Sequence, residues 1–394
     1  MTHKTPYYVI HKEELNDLLC KLKRALEDNW NNYIIGYSYK TNALPWIVDY
    51  YKKAGCFAEV VSEHEYSLGK AIHVDPSHFV YNGPIKTKES FIEALINGAY
   101  VNIDSKRELE WLEDLPKDKI YHIGLRVNYD IEKDCPGQSS AGSEGGRFGF
   151  CFENGELFTA INRVRVLGLK VDGLHLHISS KTRSLDIYRA SAIKACEIAQ
   201  KYDLNLGYID IGGGFFGGLI NKPQFAEYIK LIAGELGKHF SVARTKLIVE
   251  PGMSLIGSPI SYVTSVIDVK DTSYGRFVVT DGSRTQIDPL MSKKSYFYEL
   301  NITGDRKHYP KQVVSGYTCM ESDRLFVMSN APEVEIGDNI VYHKVGAYTM
   351  CLTPLFIKYF PDVYVEDKNE LRIVRHEWRA SEYMLGSILD GDNN

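Results

Sequence analysis

The chain of 394 residues is long for a single hydrophobic core, so two domains, or one large barrel with a satellite, are expected. A formal net charge of −5 leaves no basic footprint for nucleic acid or an anionic membrane surface. No apolar run reaches the length of a membrane span, and Met1–Ile10 lacks the apolar stretch of a signal peptide.

In chain order, Tyr7–Ile10 reads as a strand ahead of the first helical stretch. From Asn31 to Gly252, short apolar runs alternate with longer amphipathic segments. The runs are Tyr33–Tyr39, Ala58–Val61, Phe79–Tyr81, Tyr100–Ile103, Ile123–Val127, Gly173–Ile178, Tyr208–Ile211 and Leu247–Val249. Between them, Pro45–Ala54 repeats Ile47, Tyr50, Tyr51 and Ala54 at helical spacing, with Gly55 placed to cap the end. Ala192, Cys196 and Ala199 mark one face of a helix over Leu185–Tyr202. Eight strand-like runs separated by helices predict a parallel (β/α)8 barrel over residues 20–257. The small-residue-rich segment Tyr129–Gly146 is either disordered or a lid over a site. After Ser258 the pattern changes to short β-branched or aromatic runs: Ile260–Val269, Arg276–Thr280, Gln312–Ser315, Arg324–Met328 and Asn339–Tyr342. These predict an all-β domain over residues 258–394, to which residues 1–19 contribute a strand. The seven cysteines show no Cys-x-x-Cys spacing, which disfavours a disulfide framework and a structural zinc site and points to a reducing cytoplasm.

Several residues carry chemistry. Lys40 follows the first barrel run, where burial and neighbours can leave an amine nucleophilic, although most lysines there are solvated end caps. Asp210-Ile211-Gly212-Gly213-Gly214 forms either a sharp turn or a backbone cradle for an anion. Glu250-Pro251-Gly252 puts a carboxylate at a strand end, as a turn residue or as the partner of a protonated ring nitrogen. Alternation directs His175 and His177 to one face, as packed, ring-stacking or metal-binding imidazoles; the lack of a third ligand at suitable spacing argues against a metal. Arg126 is a charge within an apolar strand, which requires a partner. Cys319 lies in a polar, acidic loop, and Tyr348 offers a hydroxyl or a core ring.

Together these residues resemble the pyridoxal-phosphate (PLP) decarboxylases of the ornithine/diaminopimelate decarboxylase family. The matching series runs through Tyr39-Lys40-Thr41-Asn42, Val60-Val61-Ser62 with Glu65, Leu125-Arg126-Val127-Asn128, Arg147-Phe148-Gly149 and His175-x-His177 with Ser180. It continues through Asp210–Gly214, Glu250-Pro251-Gly252, Asp281-Gly282, Cys319 with Asp323, and Gly346-Ala347-Tyr348. The resemblance implies the alanine-racemase-like fold (fold type III), a homodimer with shared sites and the cofactor pyridoxal 5'-phosphate. It implies that Lys40 carries the cofactor covalently, that His177 stacks on its ring and that Glu250 pairs with its ring nitrogen. Arg126, Ser180, Gly212, Gly213, Gly214, Gly252 and Tyr348 would complete the cofactor site, and Cys319 would return a proton from the partner subunit.

The substrate-reading shell departs from the family. Met253 stands where the diaminopimelate branch has arginine, and Asp288-Pro289 replaces an Arg-Pro pair. Met320 replaces the acidic residue after the cysteine, with Glu321 one step later; Ser179 replaces a glycine and Ile357 an asparagine. With Asp281, Asp288, Met320, Glu321 and Asp323 as substrate contacts, the expectation is a decarboxylase of an amino acid or conjugate with a non-standard, cationic or hydrogen-bond-donating end, as in siderophore or specialised metabolism. Diaminopimelate, ornithine or lysine decarboxylation is the alternative, with a racemase or a non-catalytic PLP-binding homologue behind it. The racemase is disfavoured by Glu250, because racemases place arginine at the ring nitrogen, and a single-barrel PLP carrier is disfavoured by the β domain.

Overall fold

The computed structural model describes residues 3–389. The chain divides into two compact units, one of residues Asp17–Leu255 and one formed by Ile256 onward together with the residues up to Asn16.

The first unit is a closed parallel barrel. After β1 (Tyr7–His11), which belongs to the second unit, come β2 (Tyr33–Ser38), β3 (Phe57–Ser62), β4 (Phe79–Ile85), β5 (Tyr100–Ile103) and β6 (His122–Asn128). They are followed by a two-residue β7 (Phe150–Cys151), then β8 (Gly173–His175), β9 (Tyr208–Asp210) and β10 (Lys246–Val249). Neighbours pair in the order β5-β4-β3-β2-β10-β9-β8-β6, and β5 pairs with β6 to close the ring; β7 is an appendage on β6. All eight predicted runs are barrel strands, because strands buried on both faces read as near-continuous apolar runs. The last residue before four of the helices is polar for a reason: Ser62, Thr87, Ser105 and Ser184 each accept a backbone amide of the following helix and fix its start. The helix Pro45–Lys53 ends as expected, with Gly55 at φ +83°.

A core of Ile34, Val80, Tyr100, Tyr208 and Ile248 fills the barrel. Tyr208 fits because Gly124 and Gly173 lack side chains: a Cβ on either would lie 2.1–2.2 Å from the phenol or its bonding partner. Two expectations are adjusted. The run Gly173–Ile178 leaves the sheet at His175, and the run Tyr33–Tyr39 ends at Ser38, after which Tyr39–Thr41 forms a single 3-10 turn.

The second unit is all β. Its strands are β1, β11 (Ile260–Thr272), β12 (Gly275–Thr280), β13 (Phe297–Asn301), β14 (His308–Ser315), β15 (Arg324–Pro332), β16 (Asn339–His343), β17 (Asp362–Asp367) and β18 (Glu370–Arg375). The order is β15-β14-β12-β11-β1-β17-β18, with β16 also on β11 and β13 on β16. The N-terminal strand lies between β11 and β17, with Tyr8 opposite Tyr262 and Val363. β13, β17 and β18 were not expected from the sequence.

Candidate active site

Lys40 occupies the 3-10 turn that follows β2, and its Nζ lies 2.6 Å from Glu59 Oε2 on β3. Glu59 is completely buried while the Lys40 side chain is 40% exposed, so the amine faces the barrel mouth with its counterion beneath it. Asn82, on β4, donates one N–H to Glu59 Oε1 (3.0 Å) and the other to Glu250 Oε1 (2.5 Å). Glu250 follows β10 and is 5% exposed. Burial pushes its carboxyl up, but the His175 imidazole, the Lys40 ammonium and a hydrogen bond from Asp210 outweigh this and hold it well below the usual range. Asp210 moves the other way, because burial and the charge on Glu250 favour its protonated form. One buried acid is therefore ionised and its neighbour holds a proton, the arrangement expected when like charges share a dry site.

His175 Nε2 is 3.6 Å from Glu250 Oε2, and the rings of His175 and His177 lie 6.5 Å apart at 24°. The amide of Gly213 donates to His177 Nδ1 at 3.2 Å, which leaves the proton of the neutral ring on Nε2, 3.5 Å from Ser180 Oγ. Exclusion of water pushes the His177 pKa down to about 3; Glu250 opposes this, and Arg126, His175 and Lys40 add to it. A neutral flat ring is thereby presented at the mouth. Arg126 pairs with Asp104 at 2.7 Å, reaches the His177 carbonyl at 3.4 Å and lies over the Phe148 ring.

Close backbone approach explains the glycines. A Cβ on Gly213 would lie 2.0 Å from the Glu250 carbonyl, and one on Gly252 2.0 Å from Thr41 Oγ1. The Gly212 and Gly213 amides already bond Asp210 and His177, so of the expected phosphate cradle only the Gly214 amide has no partner among the described residues. The absence of a third metal ligand also needs correction. His175, Asp210 and Glu250 bring donor atoms within 4.8 Å of one another, from segments far apart in sequence. Asn82, Asn102 and the Gly212 amide occupy these acids with hydrogen bonds.

The residues fit pyridoxal phosphate. Both nitrogens of the buried His175 lack a hydrogen-bond partner among the described residues, a carboxylate kept ionised in a dry pocket suits a protonated ring nitrogen, and a neutral imidazole suits a ring face. Lys40, His177, Ser180, Arg126, Glu250, Gly212, Gly213, Gly214 and Gly252 all belong to the barrel unit, whereas Cys319 and Tyr348 belong to the β unit. Cys319 is exposed and lines a cavity of about 350 Å³ with Lys270, Phe277, Thr318, Met320 and Arg324. Tyr348 is 37% exposed at φ +54°.

The acidic residues expected to meet the substrate are each engaged within the β unit. The Asp288 carboxylate is buried and accepts from Arg284, the amides of Ser292 and Lys293, and the Tyr296 hydroxyl, all at 3.0 Å. Asp323 accepts from Ser283, Thr318 and the Arg284 amide, and Asp281 from Thr5 and the Ser265 amide. All three hold their own unit together. Met320 and Glu321 stay at the surface, with Glu321 paired to Arg324 at 2.5 Å. Sequence reasoning overlooked Glu59, although a carboxylate in the apolar run Phe57–Val61 is the signal that identified Arg126. Asn82 and Asn102 gave no signal, since asparagine between apolar residues reads as a turn.

The first barrel residues onward match a sequence profile described as pyridoxal-dependent decarboxylase, pyridoxal binding domain, over residues 15–257. A probable chloroplastic diaminopimelate decarboxylase of Oryza sativa subsp. japonica is 26% identical over 389 residues, 97% of this chain and 79% of that protein. The diaminopimelate decarboxylase of Methanocaldococcus jannaschii is 27% identical over 362 residues, covering 87% of this chain and 82% of its own. A crystal structure of the M. jannaschii enzyme superposes with a TM-score of 0.85 at 22% identity, over 98% of this chain and 93% of that one. The arginine decarboxylase of Paramecium bursaria Chlorella virus gives 0.76 at 19%, over 92% and 96%. At these identities the superpositions establish the shared fold. The profile covers well over half of the sequence, and the chain belongs to the pyridoxal-dependent decarboxylases, with its barrel as their pyridoxal-binding domain.

Proposed function

We propose that this chain, a PLP-dependent amino-acid decarboxylase, acts on a diamino acid of the diaminopimelate type, as a cytoplasmic homodimer with Lys40 as the attachment residue. The observation that carries the site assignment is the pair of buried carboxylates, Glu59 at the Lys40 amine and Glu250 beyond it, joined through Asn82. The cofactor, when bound, supplies the electron sink for the pair left behind by carbon dioxide. Lys40 Nζ would hold the cofactor, with Glu59 orienting the amine. Glu250, kept ionised, would pair with the ring nitrogen, and the neutral His177 imidazole would lie against the ring. The Cys319 thiol would return a proton to the α-carbon.

The substrate reading departs from the non-standard one expected from sequence. That expectation rested on Met253 and Asp288 standing where the diaminopimelate branch has arginines and on the changed residues after Cys319; of these, Asp288 is neutralised by Arg284 at 3.0 Å. Around Cys319 the cavity offers Lys270 and Arg324 beside Glu321, charges that suit a distal group bearing both a carboxylate and an ammonium. Two relatives named above are diaminopimelate decarboxylases. Carbon dioxide release from meso-diaminopimelate, ornithine, lysine, arginine and 2,3-diaminopropionate conjugates tests this. The expected outcome is a kcat/KM for diaminopimelate at least about tenfold above the others; ornithine or a conjugate as the best substrate would overturn it.

A further inference from the structure

Under the Lys40–Glu59 pair lies a chain of hydrogen bonds whose direction is fixed throughout. The Tyr208 hydroxyl donates to Asn102 Oδ1 at 2.9 Å. Asn102 Nδ2 donates to Asn82 Oδ1 at 2.8 Å and to Asp210 Oδ2 at 2.9 Å. Asn82 Nδ2 then donates to Glu59 Oε1 and Glu250 Oε1. Tyr208, Asn102 and Asn82 are 0%, 1% and 2% exposed. Each amide uses both N–H groups and receives one bond at its carbonyl, so turning Asn82 over would set oxygen against two carboxylates and turning Asn102 over would set it against the Asn82 carbonyl. The glycines at 124 and 173 make the room that lets Tyr208 anchor the chain.

No other neutral side chain of this size offers two donors to two anions on opposite sides. An aspartate at 82 would add a third charge, and an aliphatic residue would leave two buried carboxylates short of a donor. We propose that Asn82, oriented by Asn102 and Tyr208, is a positioning residue that ties the carboxylate facing Lys40 to the one at 250 and fixes the orientation of both. The proposal rests on Lys40 and Glu250 being the cofactor residues.

A buried carboxylate that loses its donor loses its fixed orientation, so removing the Asn82 amide loosens Glu59 and Glu250 together. The test titrates pyridoxal phosphate into the full-length apoprotein at about pH 7, follows the visible band, traps the covalent link with borohydride and measures the labelled fraction by mass. In Asn82→Leu binding should weaken roughly tenfold and the visible band should leave its wild-type position. In Tyr208→Phe, which touches neither carboxylate, both should change the same way by less. Wild-type binding and an unmoved band in Asn82→Leu, with the wild-type label on Lys40, overturn the relay alone. If Asn82→Leu does not fold, wild-type binding and an unmoved band in Tyr208→Phe overturn it. A wild-type label on another lysine overturns both the relay and the assignment of Lys40.

Discussion

Lys40 and Glu59 form an unequal pair, because the carboxylate has no access to water and the amine does. Removing the amine strands a buried charge, a cost of about 1–3 kcal/mol after allowing for the exposed side of the pair. Lys40→Ala should therefore destabilise the apoprotein by that amount in urea unfolding, and Glu59→Gln added to it should restore most of the loss; additive losses would show that the two do not interact. Glu65 offers a pH test. It accepts from the Val61 amide, and burial, with the charge of Glu59, raises its pKa to about 7 against the opposing pull of that hydrogen bond and Lys40. A raised carboxyl pKa contributes stability below the unfolded value of about 4.3 that is lost as pH climbs through the folded value. Glu65→Gln keeps the acceptor without the charge, so its melting temperature should match the wild type near pH 4 and exceed it by pH 8. An equal difference at both pH values would contradict this. At this scale the sequence singled out polar residues within or just after apolar runs, and the structure places Lys40, Arg126 and Glu250 in the barrel unit. It could not show a partner four residues away, such as Arg284 beside Asp288.

Most elements were legible in proportion to their burial, β17 with its buried Val363, Tyr364 and Val365 being the exception. The barrel strands are walled in by helices and announce themselves as apolar runs, whereas β13 (Phe297–Asn301) is mostly exposed and β18 (Glu370–Arg375) has no fully buried residue. Neither has a pattern for the sequence to display. The segment Tyr129–Gly146 is the informative case, since a loop expected to be either disordered or a lid is tied to the chain after β8. Ser179 Oγ accepts from the Ser140 amide at 3.1 Å and donates to the Gln138 carbonyl at 3.2 Å. Ser179→Ala removes both bonds, about 1–3 kcal/mol of local stability, so amide exchange over residues 137–142 should quicken roughly tenfold or more while the barrel strands stay protected. Unchanged exchange would show that the loop is held by other contacts.

At the scale of the whole molecule, the residues proposed to hold the cofactor and Cys319 belong to different compact units. A shared site predicts that mixed Lys40→Ala and Cys319→Ala homodimers, each nearly inactive, recover roughly a quarter of wild-type activity once subunits exchange, because half the dimers then hold one intact site of two. No recovery after proven exchange would place both residues in one protomer's site. The account depends most on Lys40 as the point of cofactor attachment. Borohydride reduction of the holoprotein followed by peptide mapping tests this most directly. Bleaching of the visible band with the label on the peptide bearing Lys40, and no label in Lys40→Ala, is the predicted result; a label on another lysine, or colour and label persisting in Lys40→Ala, would contradict it.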